Sequence, residues 1–366
     1  TAGEQWLIYD NMRGWVNGSN DQGLSPNTSG AEFSYEARHP LSTGFTFTNG
    51  SASTTYIYIA IRRGPMKTPT DVTTVFDVDL QNGGSFVTTN FPVDLTINAR
   101  PSATTNKYAS ARLTGGTELL VPNLTDAATT GTYVYFAFDK NNGIEDDNWG
   151  SGSSSVYWNF RRAPGFFDVV AYTGTGSART VSHNLGVAPE LMIVKSRNGV
   201  TFWRVFNASI GATKNLVLQT VDAAATSSVI WNDTSPTDTV FSVGGNSTVN
   251  GNGSTYIAYL FASCPGVSKV GSYTGTGTTL SVDCGFTTGA RFVLIKRTDS
   301  TGDWYVWDTA RGIIAANDPY LLLNSTAAEV TNTDHIDPLS SGFQISSTAP
   351  AAINANGGSF IYLAIA

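Results

Sequence analysis

The side chains that could do chemistry are scarce in this sequence. Three histidines serve 366 residues: His39, His183 and His335. None has a second His or Cys at metal-ligand spacing, although Asp334 and Asp337 flank His335. A loop or turn histidine is the preferred reading for each. There is no G-x-S-x-G elbow, no phosphate-binding G-x-x-x-x-G-K-S/T and no H-E-x-x-H. A retaining glycosidase needs two carboxylates about 5 Å apart on a cleft, and no acid pair stands out. Asp139, Asn141, Asn142, Glu145, Asp146 and Asp147 crowd one stretch around Gly143. Oxygen ligands on a flexible loop suit Ca²⁺, but the spacing misses the known helix–loop–helix pattern, and a solvated acidic loop is preferred.

Two further sets invite a functional reading. Trp6, Asp10, Arg13 and Gly14 match Trp304, Asp308, Arg311 and Gly312 in type and spacing. A binding site would keep its charged pair, yet one related stretch has Asn207 and Ile210, and another reads as Arg112 and Gly115. The preferred reading is a Trp anchored in a core, with Asp-x-x-Arg tying a turn. Cys264 and Cys284 are the only cysteines; they could close a loop as a disulfide in an oxidising compartment or serve as small core residues. Asn-x-Ser/Thr recurs at Asn17, Asn27, Asn49, Asn123, Asn207, Asn232, Asn246, Asn252 and Asn324, as expected by chance in so Asn/Ser/Thr-rich a chain. The expectation is therefore no catalytic residue, no cofactor, no metal, and a ligand the sequence does not name.

The elements that would position these residues repeat. Tyr172-Thr-Gly-Thr-Gly176 returns as Tyr273-Thr-Gly-Thr-Gly277, and Trp203 returns as Trp304, each 101 positions later. Tyr256 to Pro265 aligns with Tyr56 to Pro65, 200 positions earlier. Such a period marks tandem modules. Each module is a series of four- to seven-residue runs rich in aromatic and β-branched types, separated by Gly, Asn, Asp, Ser or Thr. The expected fold is all-β, a tandem array of antiparallel β-sandwich, jelly-roll-like modules of about 100 residues. The expected boundaries are 1–67 (an incomplete first module), 68–167 (second, divergent), 168–266 (third) and 267–366 (fourth). Met192 to Val194 and Phe292 to Ile295 are continuously apolar, so both are expected as buried central strands. In the second module, Pro92 to Ile97 reads as that run, Tyr108 as the Trp, Arg112 as the Asp and Gly116 as the turn glycine.

The first module starts at the Trp and lacks the stretch that precedes it elsewhere, so a raw sheet edge is expected. A fragment of a longer protein is the preferred explanation. Modules permuted to begin at the Trp, and a strand donated by another subunit, are the alternatives. The chain carries 13% charged residues and a net charge of -7, which argues against nucleic acid, whose phosphates need clustered Lys and Arg. No apolar run reaches membrane-spanning length.

Phe166-Phe-Asp-Val-Val-Ala-Tyr-Thr-Gly174, His183-Asn-Leu-Gly186, Pro189 to Lys195, and Trp304-Tyr-Val-Trp-Asp-Thr-Ala-Arg-Gly312 resemble a repeat of tailed-bacteriophage structural proteins, tail-fibre-like and including marine phages. The resemblance implies a virion protein of a tail fibre or surface appendage, contacting the host surface or neighbouring virion proteins. It implies homo-oligomers or other virion proteins as partners, with a host glycan as a further candidate; no membrane insertion is expected, because no apolar run is long enough. It carries no catalytic residues. The alternative expectation is a carbohydrate-binding, lectin-like array on a cell surface or secreted protein.

Overall fold

The computed structural model describes residues 5–10, 13, 15, 21–35, 38–40, 44–47, 55–61, 67–82, 86–116, 118–130, 136–146 and 154–366. Gly14, Asn17, Asn49, Arg62, Arg63, Pro65 and Asp147 lie outside them. The described chain is all-β and antiparallel, with three four-residue helices at Ser228–Trp231, Ser247–Asn250 and Ala351–Asn354.

The third and fourth repeats have one strand plan. In the fourth, Ser268–Thr274, Ser359–Ile365, Phe292–Arg297, Trp304–Asp308 and Leu321–Leu322 form an inner sheet in that order. Leu280–Asp283, Gly342–Ile345 and Ile336–Leu339 form an outer sheet. In the third, the inner sheet begins with Phe167–Thr173, Thr255–Phe261, Leu191–Ser196 and Arg204–Asn207, and Arg179–Ser182 pairs with Val240–Val243 outside it. The second repeat keeps the inner order as Phe76–Asn82, Ser154–Phe160, Leu95–Ala99 and Tyr108–Ala111.

The repeated Tyr-Thr-Gly-Thr-Gly follows from this packing. A Cβ on Gly174 would stand 2.2 Å from Gly251 O, and one on Gly275 would stand 2.3 Å from Ala355 O. Gly176 and Gly277 have φ of 76° and 69°, a region that favours glycine. Asn250 and Asn354, both buried, fasten the turn: their Oδ1 atoms accept from Thr175 N and Thr276 N at 2.9 Å.

The apolar runs are continuous because the inner sheets are buried on both faces. In the fourth repeat Val293, Ile295, Trp307 and Phe360 face that repeat's own sandwich core. The alternate residues Phe292, Leu294, Trp304 and Val306 join a second core that also holds Leu191, Ile193, Trp203 and Val205 of the third repeat and Leu95, Val156, Trp158 and Phe160 of the second. Three inner sheets thus share one apolar centre, and Phe160 and Trp158 meet Phe292 there edge to face.

Register corrects the reading of the second repeat. Leu95 pairs with Ala111 as Leu191 pairs with Asn207 and Phe292 with Asp308. Lys107, not Tyr108, therefore stands at the Trp203/Trp304 position, and Ala111, not Arg112, at the Asp308 position. Gly115, with φ of 80°, replaces Gly116 as the counterpart of Gly211 and Gly312. The second repeat has no Trp at this position, and Tyr108 is the aromatic adjacent to it.

In the first repeat, Ile8–Tyr9, Asp21–Leu24 and Phe33–Tyr35 form one sheet and Arg38–Pro40 pairs with Phe45–Phe47. Ile57, Ile59 and Ile61 are exposed, whereas their counterparts in Thr255–Phe261 are buried.

Candidate functional site: the joints between repeats

The sequence-predicted residues do not gather. His183 is buried, with Nδ1 accepting from Leu185 N and Nε2 against Thr237 O. Burial lowers its pKa. His335 stacks on Tyr320, and burial lowers its pKa too. His39 lies 3.8 Å from Asp21. In the acidic stretch, Lys140 pairs with Glu145 at 3.1 Å while Asp146 accepts from Tyr157 Oη at 2.5 Å on the buried side. Among the described residues no group of three or more His, Cys, Asp or Glu is placed to hold a metal ion. Both cysteines are free thiols in separate cores, Cys264 in the shared centre and Cys284 in the fourth repeat's own.

Asp-x-x-Arg ties a turn. Arg311 N donates to Asp308 Oδ1 at 3.0 Å and Arg311 Nε to Asp308 Oδ2 at 2.8 Å; Arg13 and Asp10 repeat both bonds at 3.0 and 2.7 Å. Asp308 also accepts from Trp158 Nε1 of the second repeat at 3.0 Å, and Arg311 reaches Glu329 at 2.9 Å. All of Asp308 is buried, so the pair serves the architecture.

That cross-repeat bond belongs to a set. Between the second and third repeats, Ala128 N donates to Arg197 O at 2.7 Å and Thr201 N to Thr125 O at 2.9 Å. Between the third and fourth, Ala224 N donates to Thr298 O at 2.9 Å and Gly302 N to Val221 O at 2.9 Å. Between the fourth and second, Glu329 N donates to Pro101 O at 2.8 Å and Thr105 N to Thr326 O at 2.9 Å. The six groups occupy matching register positions, so the three joints are equivalent and the last repeat closes on the earliest of the three.

Side chains reinforce each joint. Trp203 Nε1 donates to Val121 O and Trp304 Nε1 to Val217 O, both at 3.1 Å. At the third joint Lys107 takes this place and donates from Nζ to Ala327 O at 2.8 Å. Lys195 Nζ donates to Thr125 O at 3.0 Å and Gly199 O at 3.1 Å; Lys296 Nζ donates to Val221 O at 2.9 Å and to Gly302 O. Burial pulls the pKa of all three lysines down to about 8. The sequence around Lys195 and Lys296 does not mark them for this role. An ammonium that must satisfy carbonyls of another repeat leaves no local signature.

The joints differ where they meet solvent. At the second–third joint, Glu118 and Arg197 form a buried bidentate pair at 2.7 and 2.5 Å. The matching positions at the third–fourth joint are Lys214 and Thr298, which do not pair, and at the fourth–second joint Pro319 and Pro101. A cleft of about 500 Å³ opens beside Lys214 and Thr298, lined also by Ser209, Ser272, Thr274 and Ser359. Asp299 on its wall is held by Arg297 Nε at 2.9 Å and Ser359 N at 3.1 Å.

The second repeat holds a different anomaly. Thr96, Asn98 and Asn159 face its sandwich interior, at positions held by Met192, Val194 and Leu260 in the third repeat and by Val293, Ile295 and Ala364 in the fourth. All are fully buried. Among the described residues the Thr96 hydroxyl and Asn98 amide have no hydrogen-bond partner. The Asn159 amide, across from Asp77 in the sheet, likewise has no hydrogen-bond partner among the described residues, and burial pushes the Asp77 pKa up to about 6.

Fold and joints together define a class: a closed ring of three antiparallel β-sandwich repeats around one apolar core. Residues 72–366 match a family described as a domain of unknown function, DUF7483. The chain belongs to that family, and the matched span is the ring. No curated protein and no solved structure matches the chain.

Proposed function

We propose that this protein is a structural and adhesive component of a tailed-phage particle, in a tail fibre or exposed appendage, contacting the host surface or neighbouring virion proteins. The supporting observation is the ring. Three joints with the same backbone bonds and one shared core make a single unit, and repeats held side by side let weak surface contacts add through avidity. Low charge and abundant Thr, Ser, Gly and Asn suit an exposed particle protein, and the sequence resemblance points the same way. On this reading the protein works without a catalytic centre, beside identical chains or other virion proteins. No helix among the described residues is long and apolar enough to cross a membrane.

Immunogold labelling of intact particles with an antibody to the ring tests this reading. Label on tails or appendages is the expected result. Absence from particles, with the protein found on a cell surface or secreted, would replace it with the lectin-like alternative, which the hydroxyl-lined cleft between the third and fourth repeats favours.

A further inference from the structure

We infer that the cleft between the third and fourth repeats binds an anionic glycan, one carrying a carboxylate or phosphate among its hydroxyls. This inference supplies a ligand for the adhesive surface and rests on that reading. Its ground is a comparison of one position set across three equivalent joints. Where the second–third joint is closed by Glu118 and Arg197, the third–fourth joint has Lys214 and Thr298. Where the shared apolar face runs outward over Leu80 and Ala171 in the other repeats, it runs over Ser272 in the fourth. Where the loop after the Trp strand carries Leu113 and Ala310, the third repeat carries Ser209. Among the described residues, only this joint turns from apolar to hydroxyl-bearing as it reaches solvent.

The electrostatics fix the sign of the ligand. Asp299 is spent on Arg297 and on Ser359 N. Lys214 is exposed and has no ion-pair partner among the described residues, so the cleft presents this cation among Ser and Thr hydroxyls. Hydroxyls that donate and accept suit a polyol, and a lysine ammonium is a point charge suited equally to carboxylate or phosphate. An opening of about 500 Å³ is in the range of small-ligand sites.

The test is titration calorimetry of the full chain with three probes: a hexuronic-acid oligosaccharide, a phosphorylated oligosaccharide and a neutral one of equal length. One or both anionic probes should bind at least tenfold tighter than the neutral one, and the tighter of the two identifies the anion. Lys214→Glu should weaken that binding tenfold or more, while Lys67→Glu, an exposed lysine with the same charge change, should leave it within twofold. Lys214→Glu with Thr298→Arg rebuilds the pair that closes the second–third joint. This double variant should keep or raise its melting temperature and lose binding. Equal binding of neutral and anionic probes, binding by the folded double variant, or no binding to any probe at millimolar concentration would each overturn the inference. Particle labelling is independent of the titration, so a labelled appendage with an inert cleft refutes the ligand alone.

Discussion

Truncating Trp304 to alanine should destabilise all three repeats of the ring together. The indole is fully buried in the shared core, and its Nε1 donates across the joint to Val217 O. Trp→Ala in a core costs about 3–5 kcal/mol, and an orphaned carbonyl such as Val217 O adds to the upper end. Unfolding entropy near 2.1 cal/mol/K per residue gives about 0.6 kcal/mol/K for a ring of roughly 300 residues. The melting temperature should therefore fall by about 5–8 °C. Differential scanning calorimetry should show one ring transition for parent and variant, displaced as a whole. Trp231→Ala, which cuts into the third repeat's own core, should displace the same transition. Independent modules would instead melt in separate steps with only one step moved by each variant, and that result would refute a shared core.

Stability should climb as pH rises from about 8 to 10. The folded pKa of Lys107, Lys195 and Lys296 lies near 8 and the unfolded one near 10.5, so the unfolded chain holds more protons in that window. Above pH 10 the trend should reverse, because buried tyrosines such as Tyr259 and Tyr305 keep protons that the unfolded chain has lost. Urea midpoints across pH 7.5–11 measure both, and Lys296→Met should flatten the rise. Replacing Thr96, Asn98 and Asn159 together by Val, Ile and Leu should raise the melting temperature, since each unpaired buried polar group costs about 1–3 kcal/mol; a lower value would show that these groups hold something. Leu294→Asp should unfold the ring, because an unpaired carboxylate in the shared core costs several kcal/mol, and circular dichroism reads the loss of strand.

Much of the fold is legible in the sequence for physical reasons. Strand punctuation and the repeated Tyr-Thr-Gly-Thr-Gly turn are local, and the turn needs glycine because Gly251 O and Ala355 O come within reach of any Cβ. The runs Met192 to Val194 and Phe292 to Ile295 are buried central strands, as their continuous apolarity implies. That same continuity carried the clue to the ring, because a one-core sandwich would have allowed alternation. Closure itself was not legible. Thr105 N finding Thr326 O, or Lys107 standing for a Trp, depends on residues more than 200 positions apart and on backbone groups that every residue has. The cleft was hidden for a related reason: Lys214 is informative only once Glu118 is known to share its position.

Closure of the ring is tested most directly by amide hydrogen exchange at the six joint N–H groups. Glu329 and Thr105, which close the fourth repeat on the second, should be as strongly protected as Ala128, Thr201, Ala224 and Gly302. Fast exchange confined to Glu329 and Thr105, with the other four protected, would mean an open string of three repeats and would contradict the ring.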